Sequence, residues 1–193
     1  MNNKHPTTTL KIRLWPLLLL GLCAHFLSCD PGSTSDPREQ ASLIDQDLWT
    51  PVESELTHLF PPKTEDHSCE EEGYKSEFLG GSYVFSVLTT FCDYIIVRQE
   101  TLVDIQEGDT VKIRFWHSQL TAPFDYVAVA NIVIDEEEIW REEFPIPLLE
   151  SGISKSEWIA TSDIPSGTPI YLHVNNHGNN EYSLVEIMLL PAS

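Results

Sequence analysis

Residues Thr110–Ser118 read TVKIRFWHS, and their alternation sets the fold class. Val111, Ile113, Phe115 and His117 fall on one face, and Lys112, Arg114, Trp116 and Ser118 on the other. Successive side chains of a strand point to opposite faces of the pleat, so this pattern predicts a strand packed on a core through one face only. The same period recurs on both sides of it. Ser82–Thr90 and Phe91–Gln99 are rich in Val, Ile, Phe, Tyr and Thr, which suit a pleated surface. Thr101–Ile105 follows, then a turn at Glu107-Gly108-Asp109. Asp125–Ile134 is apolar on both faces, the mark of an interior strand. Asp135–Glu138 turns the chain into Ile139–Phe144, which Pro145-Ile146-Pro147 is expected to break. Ile153–Thr161, the turn Pro165-Ser166-Gly167, Ile170–Val174 and Glu181–Leu190 complete the series. About eight or nine strands at roughly ten-residue spacing predict an all-β, antiparallel β-sandwich. The strand order stays open, and a jelly roll is one arrangement that fits.

One short helix is expected ahead of these strands, over about residues 51–60. Thr50 can cap it, Pro51 suits its first position and Glu53 completes a capping box. Val52, Leu56, Leu59 and Phe60 give it an apolar face, and Pro61-Pro62 stops it. Lys63–Gly73 reads as a polar loop holding Cys69 and the acidic run Glu70-Glu71-Glu72.

The N-terminal stretch Leu14–Asp30 reads LWPLLLLGLCAHFLSCD. Lys4, Lys11 and Arg13 precede it with no acidic residue, the build of a secretory signal peptide. The apolar run is shorter than the roughly 20 residues a membrane span needs, and no later stretch approaches that length. Its exit, Phe26-Leu27-Ser28-Cys29, resembles the lipobox of bacterial lipoproteins. That resemblance implies cleavage after Ser28, a lipid on Cys29 and anchoring in the bacterial cell envelope, on its periplasmic or surface face. Two or three acyl chains hold a protein on a membrane at about 0.8 kcal/mol per buried CH₂. Residues 29–40 then read as a flexible tether, rich in Pro, Ser, Asp and Gly, and 41–193 as a single domain.

The chain carries a formal charge of −19, and loss of the basic leader would leave 165 residues with 8 basic and 30 acidic groups. Such a surface repels a phosphate backbone, so nucleic acid is not expected as a partner. Of four cysteines, Cys23 lies in the leader and Cys29 at the proposed anchor. Cys69 and Cys92 remain, an even pair in an exported chain, and a disulfide is expected.

Candidate chemistry gathers in the loop Asn175–Asn180, NNHGNN. Tyr171 and His173 share one face of their strand, and His177 follows four positions after His173. With His117 they form a candidate set for zinc or copper. Calcium would move the ligands to carboxylates. The same loop supports another reading, in which Asn175, Asn176, Asn179 and Asn180 read sugar hydroxyls. Tyr171, Tyr182, Trp116 and Trp140 would supply flat apolar surfaces beside them. There is no G-x-S-x-G, no phosphate-cradling glycine loop and no dinucleotide fingerprint.

Three functions follow as expectations. The first is an exported, lipid-anchored protein whose sandwich binds a carbohydrate or a partner protein through the loops Asn175–Asn180 and Ser118–Asp125. The second is a metal-binding or metal-dependent hydrolytic domain using His117, His173 and His177. The third is a structural envelope protein. Lectin-like and galactose-binding-like sandwiches share the expected architecture, but architecture does not fix function.

Overall fold

A computed structural model of the chain describes residues 38–52, 58–64 and 67–192. The leader, Cys29 and the tether as far as residue 37 lie outside the described residues. Eleven strands are described: β1 (Ala41–Ser42), β2 (Thr50–Pro51), β3 (Tyr74–Leu79), β4 (Ser82–Leu88), β5 (Tyr94–Glu100), β6 (Thr110–His117), β7 (Tyr126–Ile134), β8 (Glu137–Ile146), β9 (Gly152–Ile159), β10 (Pro169–Asn175) and β11 (Glu181–Leu190). They form two antiparallel sheets. The first runs β3-β4-β11-β6-β9, with β1 beside the far end of β11; the second runs β2-β5-β10-β7-β8. The eight strands from β4 onward therefore interleave as β4-β11-β6-β9 facing β5-β10-β7-β8, which is a jelly roll.

The core lies between the sheets. Val111, Ile113 and Phe115 of β6 face it, opposite Ala128, Ala130 and Ile132 of β7 and Leu172 and Val174 of β10. A smaller apolar cluster sits on the outer face of the second sheet. Phe60, Tyr94, Ile96 and Val133 form it, with Val52, Leu59 and Tyr171 packed alongside. The chain before the disulfide thus folds back over that sheet. Cys69 and Cys92 are joined, as their even count predicts, and the bond ties this returning segment to the β4–β5 turn.

Three local expectations need correction. Thr50 and Pro51 do not begin a helix: they pair with Arg98 and Val97 of β5, and the Thr50 hydroxyl donates to the Arg98 carbonyl at 3.0 Å. Val52 continues this with an N–H bond to Ile96. A short helix is marginal by itself, so an open sheet edge with ready backbone partners wins here. Residues 53–57 lie outside the described residues. The helical turns described are two 3-10 turns, Gln46–Leu48, capped by Asp45, and Glu71–Gly73. Pro145-Ile146-Pro147 does end β8, but later than Phe144: the strand takes in Pro145 and stops at Ile146, before Pro147. β8 is an edge strand, where the missing proline N–H costs no ladder bond. Thr101–Ile105 forms no strand beyond a single bridge from Ile105 to Ile164, while the overlooked Tyr74–Leu79 is edge strand β3. Among the described residues no helix is long and apolar enough to cross a membrane.

Candidate functional site

The strand order brings four connections to one pole of the sandwich: residues 89–93, 118–125, 147–151 and 176–180. The asparagine loop is their fastener. Asn180 donates from Nδ2 to the Thr121 carbonyl at 3.0 Å and accepts the Thr121 N–H on Oδ1 at 2.6 Å. Asn176 donates to the Thr89 hydroxyl at 2.9 Å, and that hydroxyl donates to the Gly178 carbonyl at 2.8 Å. Asn175 accepts from Tyr126 at 3.1 Å, and Asn179 accepts from Thr90. Asn176 and Asn180 are buried. Their amides hold loops together, so the array expected to read sugar hydroxyls is largely engaged within the protein. The pole instead exposes Phe91 (45 %), Phe124 (63 %) and Leu149 (73 %).

The three candidate histidines are not brought together. His117 points inward from β6, where its Nδ1 donates to the Ser118 carbonyl at 2.7 Å and its ring packs on Phe144. A Cβ on the opposite Gly152 would stand 2.7 Å from its Nε2, so the ring fills the space that glycine leaves. His173 lies on the outer face of the other sheet, fully buried beneath Phe60 and beside Tyr94. Its Nδ1 donates to Asn131 Oδ1 at 2.8 Å, and Asn131 donates in turn to Glu138. Burial pushes His173 down to about 3, with Arg141 and His67 adding to the shift. It is therefore neutral and sealed. His177 stacks on His67 with ring centres 4.8 Å apart and stands 3.5 Å from Asp93. Tyr94 and His67 intervene between it and His173. Among the described residues no group of three or more His, Cys, Asp or Glu side chains is placed to hold a metal ion.

The four expected aromatic platforms also separate. Tyr182 and Trp140 are buried in the core, and Tyr171 packs against Phe60. Trp116 alone of the four projects from the outer face of the first sheet, half-buried. Its register partners are Ser183 on β11 and Ile153 on β9. Beside it lies a cavity of about 290 Å³ lined by Leu79, Gly80, Ser82, Val84, Arg114, Trp116, Ile153 and Val185. A second cavity of about 310 Å³ adjoins it at Arg114 and is lined by Lys112, Ile113, Lys155, Ser156, Glu157 and Glu186. Arg114 donates to Glu186 across 3.3 Å. Further along the face, burial raises the Glu181 carboxyl above its usual range, and Glu77 adds to this. The signal for this face was present in TVKIRFWHS, whose outward side chains are Lys112, Arg114 and Trp116. What joins them to Ile153 and Lys155 is β9, a strand far along the chain.

No protein-family model matches the chain, and no curated protein sequence matches it. Solved structures resemble it at low identity. TmCBM27, a carbohydrate-binding module described for specific mannan recognition, aligns with a TM-score of 0.49 at 7% identity, over 81% of this chain and 97% of its own. A cyclase from Fischerella sp. TAU aligns with a TM-score of 0.45 at 10% identity, over 83% and 93%. The arabinose-bound α-L-arabinofuranosidase MgGH51 aligns with a TM-score of 0.45 at 9% identity, over 79% of this chain and 27% of its own, so the chain spans about a quarter of that protein. These likenesses assign neither a ligand nor a reaction to this chain.

Proposed function

We propose that the chain is an exported, lipid-anchored binding protein whose β-sandwich holds a carbohydrate on the outer face of its first sheet. The observation that carries this reading is the half-buried Trp116 ring set beside Arg114 in a 290 Å³ cavity on a rigid sheet. A pyranose has one face of C–H groups and an equator of hydroxyls. The first packs on an indole and the second needs donors and acceptors, which Arg114, Glu186 and Ser82 offer. Side chains on strands are held in place before the ligand arrives, which lowers the entropy lost on binding. His173 is sealed and His117 is committed to Ser118, which withdraws both from a shared catalytic or metal site with His177. Arg38, within the stretch expected to be tether, is held at Asp109, on the pole away from the four cross-linked loops.

Two experiments test this. A panel of plant and bacterial polysaccharides should include at least one that retards the full-length protein in affinity electrophoresis, and Trp116→Ala should abolish the retardation. Failure of every polysaccharide in the panel would sink the carbohydrate reading. Cys29→Ala should move the chain from the membrane fraction to the soluble fraction and remove label from a fatty-acid probe.

A second reading rests on Phe91, Phe124 and Leu149, whose exposure at the loop pole suits an apolar contact with a partner protein. It predicts that Phe124→Ser weakens capture of that partner while leaving polysaccharide retention intact.

A further inference from the structure

The charges are unevenly placed. Of the eight Lys and Arg residues from position 38 onward, four (Lys75, Lys112, Arg114 and Lys155) lie on strands of the first sheet. All four project from its outer face. Tyr74 of β3 and Val111, Ile113 and Phe115 of β6 turn toward the core, so Lys75, Lys112 and Arg114 turn away from it, and Lys155 sits directly opposite Arg114. In a chain with a charge of −19 this face holds half of those cations, beside the carboxylates Glu77, Glu157, Glu181 and Glu186.

Three of them have carboxylate neighbours: Lys75 with Glu77 at 2.9 Å, Lys112 with Glu157 at 3.1 Å and Arg114 with Glu186 at 3.3 Å. Lys155 has none among the described residues. Its cross-strand partner is itself a cation, and like charges directly opposite on a sheet face are destabilising. An anion seated between Arg114 and Lys155 would remove that repulsion. The site lies where the two cavities meet, with Trp116 and Ile153 on one side and Lys112, Lys155, Glu157 and Glu186 on the other, where Lys112 pairs with Glu157 and Arg114 with Glu186 while Lys155 makes no ion pair among the described residues.

We propose that this face selects an acidic carbohydrate, a polymer of uronic acid, packing a sugar ring on Trp116 and Ile153 and its carboxylate between Arg114 and Lys155. This rests on the carbohydrate reading above and adds the charge of the ligand. Carboxylate recognition by a guanidinium is geometrically specific as well as attractive, whereas the ammonium of Lys155 acts as a point charge.

The test uses the full chain in detergent, with polygalacturonate and fully methyl-esterified polygalacturonate as probes. The two polymers share a ring and differ in charge. Polygalacturonate should be retained at least ten-fold more strongly than the ester. Lys155→Gln and Arg114→Gln should each remove most of that preference, and Trp116→Ala should weaken both polymers. Arg141→Gln, a cation on the second sheet, should change nothing. Lys155 is exposed, so its variant stays informative even if Arg114→Gln disturbs the fold. Equal retention of the two polymers, or preference intact in Lys155→Gln, would overturn the acidic selectivity. If neutral polysaccharides are then still held through Trp116, the carbohydrate reading survives alone. If nothing is held, both fall.

Discussion

Arg38 grips Asp109 across 71 residues of chain, one terminal nitrogen of its guanidinium on each carboxylate oxygen, the Nη1–Oδ2 contact measuring 2.7 Å. Asp109 is fully buried, and it also accepts the N–H groups of Gln106 and Ala192. One side chain thus ties the chain at Arg38 to a turn and to the segment that follows the last strand. Burial alone would raise the carboxyl, but Arg38 and the two N–H groups more than offset it and hold it below the usual range. Asp109→Ala should therefore cost about 3 kcal/mol at neutral pH in urea unfolding. The sign follows from the lowered value: this contribution is present above the ordinary carboxylate range, about pH 4, and fades below it. A variant whose deficit is unchanged at pH 2 would contradict the assignment. Arg38→Ala should additionally open residues 38–40 to protease.

His173 sets a second pH dependence. In the folded protein it stays neutral down to about 3, because it is buried. In the unfolded chain it takes up a proton from about pH 6.5. Between those values the unfolded state binds the extra proton, so stability falls as pH falls, by about 1.4 kcal/mol per unit. His173→Gln keeps an amide beside Asn131 and removes the titration. Unfolding free energies from pH 7.5 to 4 should give a shallower slope for this variant than for the wild type; parallel slopes would exclude His173 as the source.

The loop pole depends on one glycine. Gly178 has φ +129°, and a Cβ there would stand 2.2 Å from the Thr121 carbonyl oxygen. Gly178→Ala meets both strain and collision, and should cost about 2–3 kcal/mol. Asn180→Ala should cost about 1–3 kcal/mol by leaving the Thr121 amide unpaired. Thermal unfolding checks both. If the acidic carbohydrate lies on the sheet face, neither variant should alter its retention while folded.

The disulfide closes a sequence separation of 23 residues, worth about 3 kcal/mol by restriction of the unfolded chain. Cys69→Ala with Cys92→Ala should lower the urea midpoint without changing retention of the ligand. Reduction of the wild type should reproduce that midpoint.

The outward face of TVKIRFWHS was readable at once, because a period of two is a property of neighbours in the chain. Glu181–Leu190 was expected with the same ends as β11. Other readings depended on contacts no local pattern contains. His173 was correctly placed opposite Leu172 and Val174, yet it is sealed because the segment around Phe60 returns over that face. Asn176 and Asn180 are the same amides whether they bind a sugar or a neighbouring loop. Only the approach of Thr89 and Thr121 settles which. Tyr74–Leu79 carries little strand signal, because an edge strand needs little apolar patterning.

From the sequence alone came the strand alternation, the paired cysteines and the acidic balance, each set by residue type and spacing. The tertiary structure decided which sheet each strand joined, which histidines were shut away and that Lys155 faces Arg114. Pairing between distant strands is chosen by the whole core at once. The neighbours of Trp116 are consequently a property of the folded jelly roll and of no single stretch.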